Sequence, residues 1–259
     1  MPFPESPRVI YRQNPLEEVI CQLKFPPILK IDAEPPSVFQ DAIRGEYPFL
    51  QEVPAFALTL PAELASMIPG LAGAKSYLFE SSDHVWKVTL NREFLSFSTT
   101  KYSRWEEFRE RLLALIAHLQ RIYEPPFFVR VGLRYRDTVK RSALNLQDVD
   151  WSELLQPWIL GELSDPQVAP HVQQAFRDVL LSLELNGAQL RLRHGTVRAP
   201  AQEESTYAID GDFFKDGPTE TNHAVELLNG LNREAGNLFR WCITDRLHER
   251  LDPQLIAAP

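Results

Sequence analysis

The fold class of this chain follows from residues 181–192, which read LSLELNGAQLRL. Asn186-Gly187 at the centre is a strong hairpin signal, because a type I′ turn needs positive φ at both of its central residues. A two-residue loop at this point pairs Leu183 with Leu190 and places the intervening polar residues on the opposite face. The stretch therefore predicts an antiparallel hairpin with one apolar face.

A second stretch follows the same rule. Residues 86–97 read WKVTLNREFLSF. A two-residue loop at Asn91-Arg92 pairs Val88 with Leu95, so apolar partners again share one face. Two hairpins that obey one rule at matching positions favour an internal duplication over chance alternation.

The chain is predicted to contain the same unit twice. Residues 19–25 and 129–135 both alternate apolar and polar residues, which is typical of half-buried strands. Each unit is predicted to run strand, helix, hairpin and long helix, with bounds at residues 1–125 and 126–259. The fold class is α+β, with antiparallel sheet and helices mainly on one face. The halves are either two domains or a pseudo-duplicate packed into one continuous globule.

The long helices are predicted from apolar residues at helical spacing. The first runs from a capping box of Ser103 and Glu106 to near Tyr123. The second covers residues 221–251, with a break near Thr244. Shorter helices are predicted over residues 37–47, 150–160 and 170–179, and further strands over residues 76–80 and 207–213.

Composition places the chain among ordinary globular proteins. Its 259 residues are 44% hydrophobic and 24% charged, a mixture that excludes intrinsic disorder. No stretch approaches the ~20 apolar residues that cross a bilayer, and the first residues lack a signal peptide's apolar run. Cys21 and Cys242 both lie in apolar patterns, which predicts buried free thiols in a reducing compartment. The protein is therefore expected in the cytoplasm, with no membrane partner.

The most suggestive feature is a stripe of arginines on the strand near residue 130. Arg130, Arg134 and Arg136 share one face of this strand, opposite its apolar residues. If the neighbouring hairpin adds Arg191 and Arg193, five guanidinium groups are placed to bind phosphates or a partner's carboxylates. These five arginines are the candidate partner-binding or anion-binding residues.

The alternative interpretation of the stripe is a set of ordinary ion pairs across neighbouring strands. Glu184 and Asp137 are the acids that the sequence offers for such pairs. The formal net charge of −8 also disfavours binding of nucleic acid, although a local basic patch remains compatible with it.

Catalytic and cofactor chemistry has little support in the sequence. No glycine-rich phosphate loop, nucleophile elbow, zinc-protease helix or kinase motif occurs, and no cofactor is predicted. Asp210 and Asp212, with His223, are weak metal candidates, since hard cations need several converging oxygens. A turn or strand bulge at Asp210-Gly211-Asp212 is the simpler interpretation. Four aromatic residues are expected to pack in the core or at the junction of the halves: Phe127, Phe128, Trp151 and Trp158.

Several segments resemble a sporadically distributed family of uncharacterised bacterial proteins of about this length. The opening NPLEEVICQLKF at residues 14–25 is the most specific of them, and the resemblance extends through residues 132–135, 209–212 and 239–247. Family members carry an apolar residue and asparagine after Leu-Arg-Tyr, where this chain has Arg136 and Asp137. The resemblance implies no catalytic residue and no cofactor, and a patchy distribution suits accessory or defence-associated gene cassettes.

The function expected from these features is a noncatalytic protein-binding or adaptor component of a bacterial accessory or defence-type complex. Its partner would be another protein or a second copy of the chain. The first alternative is a nucleic-acid or nucleotide sensor that uses the arginine stripe, and the second is an unrecognised metal-dependent enzyme.

Overall fold

A computed structural model describes residues 3–54, 75–197 and 204–255 of the chain. The strands in these ranges are β1 (Val9–Tyr11), β2 (Leu16–Lys24), β3 (Phe49–Pro54), β4 (Lys75–Glu80), β5 (Trp86–Leu90), β6 (Phe94–Thr99), β7 (Phe128–Val139), β8 (Phe176–Ser182), β9 (Gln189–Val197), β10 (Thr206–Thr219) and β11 (Pro253–Leu255). The α-helices are α1 (Lys30–Ala33), α2 (Ser37–Ile43), α3 (Trp105–Tyr123), α4 (Trp151–Leu154), α5 (Pro157–Leu160), α6 (Thr221–Cys242) and α7 (Asp245–Arg250).

The strands form one large sheet and one small one, which confirms the predicted α+β class. The large sheet has nine strands in the order β3-β4-β5-β6-β2-β7-β10-β9-β8, and β1 pairs with β11 in the small sheet. The pairs β3–β4, β4–β5, β5–β6, β9–β10 and β8–β9 are antiparallel. The strand order places β8 at one end of the sheet.

The chain divides into two compact units that differ from the predicted halves. Unit 1 comprises Met1–Val19, Leu133–Lys215 and Leu228–Pro259, and unit 2 comprises Ile20–Gly132 and Asp216–Leu227. The predicted boundary between residues 125 and 126 falls inside unit 2. Strands β2, β7 and β10 each contribute residues to both units.

The core of unit 1 lies between helices and one face of β8, β9 and β10. A side chain at Gly211 of β10 would come within 3.4 Å of Leu238 of α6. The Tyr207 hydroxyl of β10 donates a hydrogen bond to the Ile159 carbonyl of α5 at 2.7 Å. Within unit 1, α5 and α6 therefore cover the same face of these strands, in agreement with the prediction of helices on one side.

The core of unit 2 is aromatic. Phe97 of β6 and Phe108 of α3 are fully buried, with ring centroids 4.8 Å apart. Trp86 stacks on Phe97 at 5.3 Å, and the Arg111 guanidinium lies 4.6 Å from the Trp86 ring. Helix α3 thus packs its apolar stripe on the hairpin of β5 and β6, as its spacing predicted.

The β8–β9 hairpin confirms the predicted turn but corrects its register. Asn186-Gly187 has φ values of +46° and +75°, which a type I′ turn requires. The Ala188 carbonyl accepts a hydrogen bond from the Leu183 N–H at 2.9 Å. The loop therefore also includes the two residues between Leu183 and Asn186. Leu190 consequently pairs with Leu181 instead of Leu183. Because the shift is two residues, each side chain keeps its predicted face.

The β5–β6 hairpin is also shifted by two residues. Val88 pairs with Phe97 instead of Leu95. The Asn91 side-chain oxygen accepts hydrogen bonds from the Glu93 N–H at 2.8 Å and from the next N–H at 2.9 Å. Asn91 therefore precedes the turn as a capping residue instead of occupying its centre.

Three further predictions of local structure are wrong. The Ser103 hydroxyl donates to Glu107 instead of forming a capping box with Glu106, and α3 begins one residue later than that box requires. The helix predicted over residues 170–179 is replaced by a short turn at 169–171 and then by β8. Val129, predicted on the apolar face of β7, is 37% exposed.

The predicted break in the last long helix is confirmed. Helix α6 ends at Cys242, and the Thr244 side chain caps α7 by accepting a hydrogen bond from the Leu247 N–H. Cys21 and Cys242 are free and buried, as predicted. No helix in residues 3–54, 75–197 and 204–255 has the length and apolar character needed to span a bilayer.

The two glycines of α6 differ in the space around them, and this difference gives a testable prediction. A side chain at Gly230 would lie 2.7 Å from Leu185, whereas one at Gly236 would meet no atom within 4 Å. Gly236→Ala should therefore raise the free energy of unfolding by about 1 kcal/mol through helix propensity alone. Gly230→Ala is the matched control, and its free energy of unfolding should rise by less, because Leu185 must move to make room for the added methyl group. Chemical denaturation of both variants measures this difference, and an equal gain would contradict the close packing at Gly230.

Candidate functional site

Three of the five predicted arginines meet two aspartates on the face of unit 1 opposite α5 and α6. Arg134 donates two hydrogen bonds to Asp210, one of them from Nε to Oδ1 at 2.6 Å. Arg191 donates from Nε and Nη2 to Asp178 at 2.9 and 2.7 Å. Arg193 lies between the two acids, 3.6 Å from Asp178 and 3.7 Å from Asp210. We call these five residues the arginine–aspartate surface.

The register of three strands builds this surface. Asp178 of β8 lies opposite Arg193 of β9, and Arg193 lies opposite Asp210 of β10. Arg191 lies opposite Leu180 of β8 on one side and opposite an aspartate of β10 on the other. Opposed residues of an antiparallel pair project from the same face. The row that crosses the three strands through Arg193 therefore alternates acid, arginine and acid.

The other two predicted arginines have carboxylate partners of their own. Arg136 lies 2.9 Å from Glu18 in unit 1, and Arg130 lies 3.2 Å from Asp216 in unit 2. The structure thus places all five arginines beside acids, which supports the ion-pair interpretation of the stripe. The acids involved are Asp178, Asp210, Asp216 and Glu18, whereas the sequence had offered Glu184 and Asp137.

The ion pairs alter the electrostatics of the surface. Hydrogen bonding to Asp210 raises the pKa of Arg134, and the hydrogen bond from Arg191 lowers the pKa of Asp178. Three arginines and two aspartates leave a formal charge of only +1 on these five residues (3 − 2). Each of the three guanidinium groups lies beside a carboxylate, so the surface is polar and nearly neutral instead of strongly cationic.

Apolar side chains flank the acids on the terminal strand of the sheet. Phe176 and Leu180 are 57% and 60% exposed. They alternate with Asp178 along β8 and therefore project from the same face. Strand β8 pairs with β9 on one side, and no strand in the described part of the chain pairs with its other side. Edge strands with exposed apolar side chains are prone to associate with other chains.

The metal candidates do not form a cluster. Asp210 and Asp212 lie within strand β10 of unit 1, as the strand predicted over residues 207–213 requires, and their uninterrupted pairing with β9 excludes a turn or bulge there. Asp210 is engaged by two arginines. His223 lies in the part of α6 that belongs to unit 2, 3.7 Å from Glu220. Among the residues that the structure describes, no group of three or more His, Cys, Asp or Glu side chains is arranged to hold a metal ion.

Of the four predicted aromatic residues only Phe128 lies in the core, while Phe127 and Trp151 are half-buried. Phe128 is fully buried, and the Trp151 ring lies 5.6 Å from the Tyr207 ring. Trp158 is 38% exposed and stacks on Trp241 at 4.2 Å.

The sequence had missed Phe176 and Asp178 because residues 170–179 were predicted as helix, and Leu180 lay just before the predicted hairpin. One signal was available: the alternating pattern of β9 continues to Val197, so its hairpin partner has to extend equally far before the turn. The chain matches no protein-family model and no curated protein.

Proposed function

We propose that this chain is a noncatalytic protein-binding component, an adaptor within a bacterial accessory or defence-type complex, and that it binds its partner through β8. The observation that carries this proposal is the exposed pair Phe176 and Leu180 on the terminal strand, with Asp178 between them. Apolar anchors beside paired charges are typical of protein interfaces, where a desolvated centre is surrounded by polar contacts.

The mode of binding that suits this surface is the addition of a partner strand to β8. Such augmentation gains main-chain hydrogen bonds along the edge, and alternate side chains supply specificity. Here the alternate side chains are Phe176, Asp178 and Leu180, so the partner strand would present apolar residues flanking a hydrogen-bond donor. The resemblance to a patchily distributed bacterial family supports the accessory or defence setting.

The nucleic-acid or nucleotide sensor is the second proposal, and the observation that favours it is the exposure of Arg191 and Arg136, whose side chains are 50% and 47% exposed. Phosphate binding at these residues would have to compete with Asp178 and Glu18. Such binding would weaken steeply with salt. The pairing of the arginines therefore ranks this function below protein binding.

Sheet order also supports the proposed internal duplication. Read towards the centre of the sheet, four strands of the first half follow the order β4-β5-β6-β2, and the strands of the second half follow the order β8-β9-β10-β7. In this correspondence the β5–β6 hairpin matches β9–β10, not β8–β9 as the aligned sequences suggested. A repeated strand order points to binding surfaces shared by similar units instead of one catalytic cleft.

The test of the proposed function is a quantitative pull-down with matched surface variants. Leu180→Lys places a charge on β8 and should abolish recovery of the specific partner, because lysine blocks strand addition and removes an apolar anchor. Val168→Lys is the control, since Val168 is also exposed in unit 1, at 43%, but lies outside β8. Mass spectrometry of nuclease-treated eluates identifies what each tagged chain recovers from the source cell.

Each outcome is informative. A protein recovered with the unaltered chain and with Val168→Lys, but lost with Leu180→Lys, supports the proposal. A monomeric chain that recovers no protein, or a partner that Leu180→Lys retains, overturns it. Recovery of nucleic acid in eluates without nuclease treatment, lost at high salt and after Arg191→Gln, would favour the sensor instead.

A further inference from the structure

Helix α6 carries a second row of residues beside the stripe that it buries in the core. Gly230, Glu234, Asn237 and Trp241 recur at intervals of three and four residues and therefore share one side of the helix. All four belong to unit 1. We call this side of the helix the α6 groove.

Two short segments of unit 1 cover the α6 groove. Leu185, from the β8–β9 loop, approaches Gly230 so closely that a side chain there would lie 2.7 Å away. Residues 3–6, which we call the strap, cover the other end. The Ser6 N–H and hydroxyl both donate to Asn237 Oδ1 at 3.2 Å, and the Phe3 ring lies 5.5 Å from the Trp241 ring.

The strap forms no hydrogen bond with the polar side chain at the centre of the groove. Glu234 is only 1% exposed, and no residue in the described part of the chain forms a hydrogen bond with either of its carboxylate oxygens. The Asn237 amide nitrogen is also buried without an acceptor in that part of the chain. Buried polar groups are normally paired, because each unpaired one carries its full desolvation cost. Two unsatisfied residues one helical turn apart therefore indicate a missing binding partner.

The charge around Glu234 indicates what that partner carries. Burial raises the pKa of Glu234, the positive charges of the chain's own amino group and of Arg233 lower it, and the carboxylates of Glu184 and Glu5 raise it. A buried carboxylate with two further acids near it is stabilised by a positively charged partner. A guanidinium or ammonium group supplies several donors to a carboxylate.

We propose that the α6 groove binds an extended peptide segment of a partner protein, which displaces the strap and places a lysine or arginine against Glu234. An aromatic or large apolar side chain of that segment takes the place of Phe3 on Trp241, and a main-chain N–H takes the place of Ser6 on Asn237. The strap then acts as an internal competitor that imitates two of the three contacts. This inference goes beyond the role proposed for β8, because the two surfaces share no residue.

The experiment uses a phage-displayed library of random peptides, selected on the full chain carrying Phe3→Ala. This change removes the strap's aromatic anchor and should raise the affinity for groove peptides about tenfold over the unaltered chain. The selected peptides should combine an aromatic residue with lysine or arginine. Fluorescence anisotropy with a labelled peptide from the selection then measures affinity.

Two complementary changes test the contact with Glu234. Glu234→Gln in the Phe3→Ala chain should weaken binding about tenfold or more, and so should replacement of the peptide's basic residue with glutamine on the chain that keeps Glu234. The second measurement does not depend on whether the Glu234 variant folds. Leu180→Lys should leave this affinity unchanged, so failure of the β8 proposal and failure of this one give different results.

The inference is overturned if selection on the Phe3→Ala chain enriches no peptide, or if the enriched peptides lack basic residues. It is also overturned if the peptide binds the unaltered chain as tightly as the Phe3→Ala chain, since the strap would then not cover the site. Equal affinity of the glutamine-substituted peptide would show that Glu234 takes no part.

Discussion

Asp137→Asn is expected to raise the free energy of unfolding at pH 7 by about 2–4 kcal/mol. Asp137 lies in β7, and burial raises its pKa to about 8, with Asp210 and Glu17 adding to the effect. The carboxyl is therefore protonated when folded at neutral pH, but ionised in the unfolded chain. Folding at neutral pH must therefore protonate Asp137, which costs free energy. An asparagine side chain has the same shape and carries no charge, so it removes this cost.

The pH dependence follows from the same shift. Between the unfolded value near 4 and the folded value near 8, the folded chain binds the extra proton, so stability falls as the pH rises through this range. Asp137 also neighbours Cys242 and Tyr11, whose own pKa values burial raises, so both stay neutral there. The gain from Asp137→Asn should therefore grow with pH and level off above about pH 8.

Urea denaturation of the two chains at several pH values between about 5 and 9 measures the difference. Asp148→Asn is the matched control, because Asp148 is exposed and its replacement should change stability by less than about 0.5 kcal/mol. If Asp137→Asn is no more stable than the unaltered chain at pH 8, then Asp137 is ionised in the folded protein and the prediction is wrong.

Asp210→Ala is expected to lower the free energy of unfolding by about 2 kcal/mol or more. The Asp210 side chain is 18% exposed and accepts two hydrogen bonds from Arg134, with Arg193 at 3.7 Å. Its removal leaves two partly buried guanidinium groups without their shared carboxylate. The loss should be smaller at about pH 9 than at about pH 5, because it also relieves repulsion of the ionised Asp137 at high pH.

Asp216→Ala provides the comparison on the same strand. Asp216 is 61% exposed and pairs with Arg130, so its loss should cost no more than about 1 kcal/mol. Thermal and chemical denaturation of the two variants test the contrast. Equal effects of the two substitutions would mean that the arginine–aspartate surface contributes no more than an ordinary exposed ion pair.

Sequence patterns were sufficient where a local rule decides the structure. The α+β class, the strands around residues 20 and 130, the long apolar helices and the turn at Asn186-Gly187 all follow from periodicity and from the backbone preference of one residue pair. The break before Thr244 is of the same kind. Face assignment in the hairpins was also correct, because alternation fixes it for any even shift of register.

Register and pairing required the tertiary structure. A two-residue slip in either hairpin keeps the same faces, so the alternating pattern cannot distinguish the alternatives. Local contacts selected the register in each hairpin. In the β5–β6 hairpin Asn91 caps the turn, and in the β8–β9 hairpin the loop around Asn186-Gly187 includes additional residues from the β8 side. The helix predicted over residues 170–179 gave way to β8 because a strand partner for β9 outweighed local helical propensity.

The sequence by itself determined that this chain has a stripe of arginines on a strand of an antiparallel sheet and no recognisable catalytic motif. Only the tertiary structure decided that Asp178 and Asp210 pair with that stripe, and that Glu234 is buried without a partner beside the strap. The physical reason is distance along the chain. A stripe arises from alternation within one strand, whereas Asp210 meets Arg134 and Ser6 meets Asn237 only when segments far apart in sequence are packed together.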